Sequence, residues 1–250
     1  MLRTKAIPRA LAACLLLVLA LSPLFASKKT PAAGQMVDSG TFGIFVNGRR
    51  VASETFQIEQ QPTVSIAKSE LKLEDGTPGP AQTSELQLTP GGDLRRYEWK
   101  ELSPEKAEAV VEPQNEFLIE RVTGTQPAIK PIEQPYILPA STMILDDYFF
   151  SHREILIWRY LAGCQVVAGQ QGCKLTKQQF GVLVPRQRAP IMVTLEYVGR
   201  EQLAFKGKTS DFDRFNLNAD GTDWSLWFDP SSHKLMRIVI AADNTEVVRE

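Results

Sequence analysis

Phe42-Gly43-Ile44-Phe45-Val46-Asn47-Gly48-Arg49-Arg50-Val51-Ala52-Ser53-Glu54-Thr55-Phe56-Gln57-Ile58 is the stretch that decides the fold class. Phe42, Ile44 and Val46 alternate with other residues, Asn47-Gly48 intervenes, and Ala52, Glu54, Phe56 and Ile58 resume a period of two. That period belongs to strands with one buried face, and Asn-Gly supplies the positive φ angles of a type I′ turn. Residues 41–59 are therefore expected to form a β-hairpin.

The same alternation extends outward from the hairpin. Val64 and Ile66 lie on even positions while Leu71 and Leu73 lie on odd ones, which predicts a bulge near 67–70. Gly76–Pro80 reads as a loop, Ser84–Leu88 as a strand, Pro90-Gly91-Gly92-Asp93 as a turn and Leu94–Lys100 as its return strand. Candidate strands at 107–112 and 115–122 follow. Pro127, Pro131, Pro135 and Pro139 then predict a semi-extended surface connector.

One helix is expected, over about 141–161. Ser141 or Thr142 would cap it, Asp146 and Asp147 suit its early turns, and Gly163 ends it. Ile144, Leu145, Tyr148, Phe149, His152, Ile155, Leu156 and Tyr160 form a broad apolar stripe at spacings of three and four. Such a stripe must lie against a sheet, and Val193, Leu195 and Tyr197 supply a matching face. Alternation returns at Phe180–Val184, Ile191–Tyr197, Leu203–Lys206, Phe212–Leu217, Trp224–Phe228, Met236–Ile240 and Val247-Val248. Val198-Gly199, Ala219-Asp220-Gly221 and Pro230-Ser231-Ser232 read as the turns between them. The architecture implied is mainly β: an antiparallel meander forming a barrel or open half-barrel around one amphipathic helix.

Residues 1–26 read as a secretory signal peptide. Arg3, Lys5 and Arg9 form a basic start, and Ala10–Leu21 is an apolar run of 12 residues, short of the roughly 20 needed to cross a bilayer. Cleavage is expected near Ala26. Leu24 stands where a small residue is usual, which leaves an uncleaved anchor as the alternative. Cys14 lies inside the apolar run and reads as part of it. Residues 27–250 then form a single all-β domain, exported to the periplasm or beyond the cell.

Export changes the reading of the two remaining cysteines. Cys164 and Cys173, separated by a segment containing two glycines, are expected to form a disulfide worth about 2–3 kcal/mol, with Cα atoms within roughly 7 Å. A redox or zinc site is the alternative, but no Cys-x-x-Cys spacing is present and neither His152 nor His233 is near in sequence. After signal removal 25 basic residues face 29 acidic ones, a net charge of −4. No basic stripe exists to displace counterions from phosphates, so nucleic acid is disfavoured as a partner.

Candidate chemistry is sparse. Val37-Asp38-Ser39-Gly40 resembles the Asp-Ser/Thr-Gly signature of retroviral-type aspartic proteases, but a turn leading into the hairpin is the reading preferred. Asn216-x-Asn218-x-Asp220-Gly221 echoes half of a calcium loop and lacks the bidentate acid, since Trp227 stands at its place. It reads as a hairpin tip. His152 lies on the apolar stripe, where a buried histidine bonded to a backbone carbonyl is expected in preference to a general base. His233 is expected in a solvated turn. No metal site or cofactor is implied.

The stretch 40–56 with Val46-Asn47-Gly48 and Glu54-x-Phe56, then Ile144-Leu145-Asp146-Asp147-x-Phe149-x-x-His152, Val184-Pro185, Leu226-Trp227-Phe228-Asp229, Lys234-Leu235-Met236-Arg237-Ile238 and a terminal Val248-Arg249 together resemble secreted bacterial β-meander proteins of unknown function. The outline is similar to that of lipoprotein-carrier half-barrels, which hold acyl chains between a curved sheet and helices. The first resemblance brings no activity and the second is an analogy of fold; with the signal peptide, the even spacing of strands around one apolar helix and the failure of every catalytic pattern, the expectation is an exported, non-catalytic envelope protein binding a lipid or other apolar molecule, or an envelope partner, between sheet and helix. The residues expected to line the site are Tyr148, Phe149, His152, Trp224, Leu226 and Phe228, with simple core filling as their alternative role. The competing functional class is a hydrolase with a site near His152, Asp146 and Asp147.

Overall fold

The computed structural model describes residues 34–77, 79, 81–103, 106–124, 131–166 and 173–250. Residues 1–26, expected from the sequence to be a signal peptide, lie outside them. The opening hairpin pairs β1 (Gln35–Val46) with β2 (Arg49–Gln60), and Asn47 and Gly48 adopt φ of 52° and 73° as the turn requires. A meander continues through β3 (Ser65–Leu73), β4 (Ala81–Leu88), β5 (Leu94–Ser103), β6 (Glu108–Gln114), β7 (Phe117–Thr123) and β8 (Ile132–Tyr136).

The chain then crosses through β9 (Met143–Ile144), helix α1 (Ser151–Ala162) and a small pair, β10 (Gln165–Val166) with β11 (Cys173–Lys174). A second meander follows: β12 (Gln178–Val184), β13 (Ala189–Phe205), β14 (Lys208–Ala219), β15 (Thr222–Asp229), β16 (Lys234–Ile240) and β17 (Thr245–Arg249). The two meanders join where β1 pairs antiparallel with β17, Phe42 facing Arg249 and Ile44 facing Val247. The result is one 15-stranded sheet, ordered β8 to β1, then β17 to β12, with β9 added in parallel to β12. It forms an open half-barrel around the helix. Because first and last strands meet in mid-sheet, its free edges are β8 and β9.

Several sequence expectations need correction. The helix begins at Ser151, about ten residues later than the apolar spacing implies, and Met143-Ile144 is a strand. Asp146 is the cause: its Oδ1 accepts from the backbone N–H of Tyr148 (3.2 Å), a turn that competes with helix. No bulge occurs at 67–70, for β2 and β3 pair in continuous register from Ala52–Leu73 to Gln60–Ser65. The inward residues there are Ala67, Ser69 and Leu71, and the polar Ser69 hid the phase. Val198-Gly199 is a bulge within β13, and the chain reverses at Lys206-Gly207 (φ 50° and 75°). Part of the proline-rich connector joins the sheet as β8, where Pro135 is tolerated on an edge strand. Asp38 sits within β1 beside a register shift, buried, and forms no turn. The tip at Asp220-Gly221 (φ 48° and 77°) and the helix stop at Gly163 agree with expectation.

Candidate functional site: an apolar groove beside the helix

Phe150, the residue that precedes α1, offers the helix no side-chain cap. The cap comes from β2: Glu54, fully buried, accepts from the backbone N–H groups of Phe150 (2.6 Å) and Ser151 (3.3 Å) and from the Ser151 hydroxyl (2.7 Å). Ser69 on β3 donates to the same carboxylate (2.8 Å). Burial pushes the Glu54 carboxyl up against the opposing pull of these bonds. The carboxylate thus fixes the helix start against the N-terminal meander.

A second buried carboxylate fixes the helix to the C-terminal meander. Glu154 Oε2 accepts from the backbone N–H of Leu235 (3.0 Å) and from Arg249 (3.1 Å). Arg249 also holds both oxygens of Asp38 (2.7 and 2.6 Å), and Lys234 approaches Asp38 at 2.7 Å. Burial, with the Asp38 carboxylate beside it, pushes Glu154 up to about 9. Asp38 is held below its usual value although burial opposes this, through bonds to Glu154, Lys234 and Arg249. Every charge here has a partner in the fold, and nothing in the arrangement presents a water-activating carboxylate pair to solvent.

Between these two anchors and the helix C-terminus lies a groove of about 490 Å³. The sheet contributes Ile58, Ala67 and Leu86, and the helix contributes Ile155, Trp158 and Arg159. The turn at 89–92 closes one end, and Arg159 Nη1 donates to the Gly92 carbonyl there (2.7 Å). Trp158 is oriented by its indole N–H, which donates to the His233 carbonyl (2.8 Å). Ala67, the inward residue of β3 on this wall, leaves room that a larger side chain would take up. Its volume falls within the range of about 300–1,000 Å³ usual for small-molecule sites.

None of the six residues expected to line a site borders this groove. Phe149, His152, Leu226 and Phe228 are buried core residues, Phe228 packing edge-on against Phe215 at 6.2 Å. Trp224 lies across the helix from the groove, with the Arg153 guanidinium 4.7 Å from its ring. It borders a smaller cleft of about 200 Å³ with Arg153 and Leu217. Tyr148, expected on the buried stripe, is half exposed: the Asp146 turn directs it outward, over Arg186 at 4.6 Å. Ile155 and Leu156 are buried as the stripe requires.

His152 is buried, and its Nδ1 accepts from the backbone N–H of Asp146 (3.2 Å) instead of its ring donating to a carbonyl. Burial lowers its pKa to about 3, so the ring is neutral. Asp146 receives the Tyr97 hydroxyl and Arg186 Nε (2.6 Å), and Arg153 donates to its carbonyl. Burial first, then the Asp146 charge, raises the Tyr97 hydroxyl well above its ordinary value. Among the described residues His152 makes no hydrogen bond to a carboxylate, and its neutral ring is buried in the core, so the hydrolase reading gains no geometric support.

The side chain of Cys173 lies outside the described residues. Among the described residues no group of three His, Cys, Asp or Glu is placed to hold a metal ion, and no helix is long and apolar enough to cross a membrane. Sequence periodicity missed the groove because it marks which residues face inward, whereas an opening depends on the size of the residue opposite. The only signal available was Ala67 among larger inward neighbours. Comparison of the chain with protein-family models, curated proteins and solved structures finds no match to any of them, so its functional reading rests on the groove and its surroundings.

Proposed function

We propose that this is an exported, non-catalytic envelope protein that binds an apolar molecule in the groove between α1 and strands β2–β4. The observation that carries the reading is a groove of about 490 Å³ walled by Ile58, Ala67, Leu86, Ile155 and Trp158. Export is supported by the basic and apolar pattern of residues 1–26. The similarity in outline to lipoprotein-carrier half-barrels belongs to the same proposal.

Titration with a fluorescently labelled fatty acid tests it. Saturable binding is expected for the wild type and for Trp224→Ala, which lies across the helix, and loss of binding for Ala67→Phe, which fills the groove. Circular dichroism checks that each variant folds. Absence of saturable binding, together with clean organic extracts of natively purified protein, would overturn the ligand reading and leave an envelope partner.

The Cys164–Cys173 bond is part of this proposal. Its support is the pairing of β10 with β11, which sets Cys173 opposite Val166, two residues beyond Cys164. Thiol titration of the denatured, unreduced protein after signal cleavage should find no free thiol; two would refute the bond.

A further inference from the structure

Arg159 is the one charged residue among those that border the groove. It lies in the last turn of α1, half-buried, and among the described residues it has no carboxylate partner. Arg186, Arg200, Arg237 and Arg249 each hold one. A guanidinium carries five N–H donors in a fixed fork, and among the described residues Arg159 makes only the bond from Nη1 to the Gly92 carbonyl. A fork at the end of an apolar wall suits a molecule with a chain and an anionic head, since charge-assisted bonds to carboxylate or phosphate are the strong ones.

We propose that the groove takes an anionic amphiphile, its chain along Ile58, Ala67, Leu86 and Ile155 and its carboxylate or phosphate on Arg159. This rests on the apolar-ligand reading above. The competing explanation is that Arg159 only complements the helix C-terminus and ties down the turn at Gly92. That role implies no preference for charge in the ligand, so head-group chemistry separates the two.

The test is calorimetric titration of the protein with dodecanoate, dodecyl phosphate and dodecan-1-ol, each below its aggregation concentration. The anions should bind about tenfold or more tighter than the alcohol, and the tighter of the two identifies the head group. Arg159→Gln should weaken the anions by about tenfold and leave the alcohol unchanged, whereas Arg159→Lys should keep the preference. Equal affinity for alcohol and anions in the wild type, or anion binding unaffected by Arg159→Gln, would overturn the inference while leaving the apolar-ligand reading intact. Binding of none of the three would overturn both. Should Arg159→Gln fail to fold, the wild-type ranking and the Arg159→Lys variant still decide.

Discussion

The N-terminal and C-terminal meanders meet the same helix in different ways. Each is tied to it by one buried carboxylate, Glu54 from β2 and Glu154 from α1 itself. On the C-terminal side the space between the ties is filled by aromatic packing: Tyr160 meets Phe215 edge-on at 5.6 Å, and Phe215 meets Tyr197 at 5.5 Å. On the N-terminal side the inward residue opposite the helix's second half is Ala67, and the groove remains. Hydrogen-bonded ties set where the helix sits, and side-chain volume sets whether the gap beneath it closes. The larger opening, about 490 Å³ against about 200 Å³ beside Trp224, therefore lies on the N-terminal flank without any break in the strand ladder there.

Equal truncations on the two flanks should have unequal costs. Phe215→Ala, in the filled flank, is expected to lose about 3–5 kcal/mol in urea unfolding. A loss below about 1 kcal/mol would mean that this flank is no better packed than the other. Glu54→Ala should follow at about 3 kcal/mol, because it strands two helix N–H groups in a buried place and leaves the Ser69 and Ser151 hydroxyls only each other, at 3.0 Å. Glu54→Gln, which keeps an acceptor, should lose less.

The two residues flanking Arg153 should give opposite pH slopes. His152 is held neutral, with its pKa lowered to about 3, so its contribution is present above about 6.5 and is lost as pH falls toward 3. Glu154 is raised to about 9, so its contribution is full below about 4.5 and is lost as pH rises toward 9. Thermal midpoints across pH should fall less steeply at the acid end in His152→Asn and at the alkaline end in Glu154→Gln. Unchanged slopes in both would mean that neither group is perturbed as described. The smallest effect belongs to Ile66→Ala on the groove wall, expected at about 1 kcal/mol or less because the residue is half-buried and borders open space.

The strands were largely legible in the sequence because a strand with one buried face writes its period into consecutive residues. The hairpin tips at Asn47-Gly48 and Asp220-Gly221 were legible for a local reason too, since both demand positive φ. Failures came where a polar residue points inward. Ser69 broke the apparent phase of β3, Asp146 delayed the helix, and Asp38 looked like a turn residue while it was buried against Arg249. Besides the local turn at Asp146, each of these side chains has a partner far away in sequence: Ser151 for Ser69, Tyr97 and Arg186 for Asp146, and Arg249, 211 residues on, for Asp38.

The sequence by itself determined the mainly β class, the hairpins, the single helix with its end at Gly163, and the expectation of export, because these depend on neighbours in the chain. Only the tertiary structure decided that the first and last strands pair, that Glu54 caps a helix 97 residues ahead of it, and that the opening lies beside Ala67 and Arg159 instead of beside Trp224. The physical reason is that burial patterns are written locally, whereas the partner of a buried charge and the volume left between packed elements are properties of chain segments that meet only after folding.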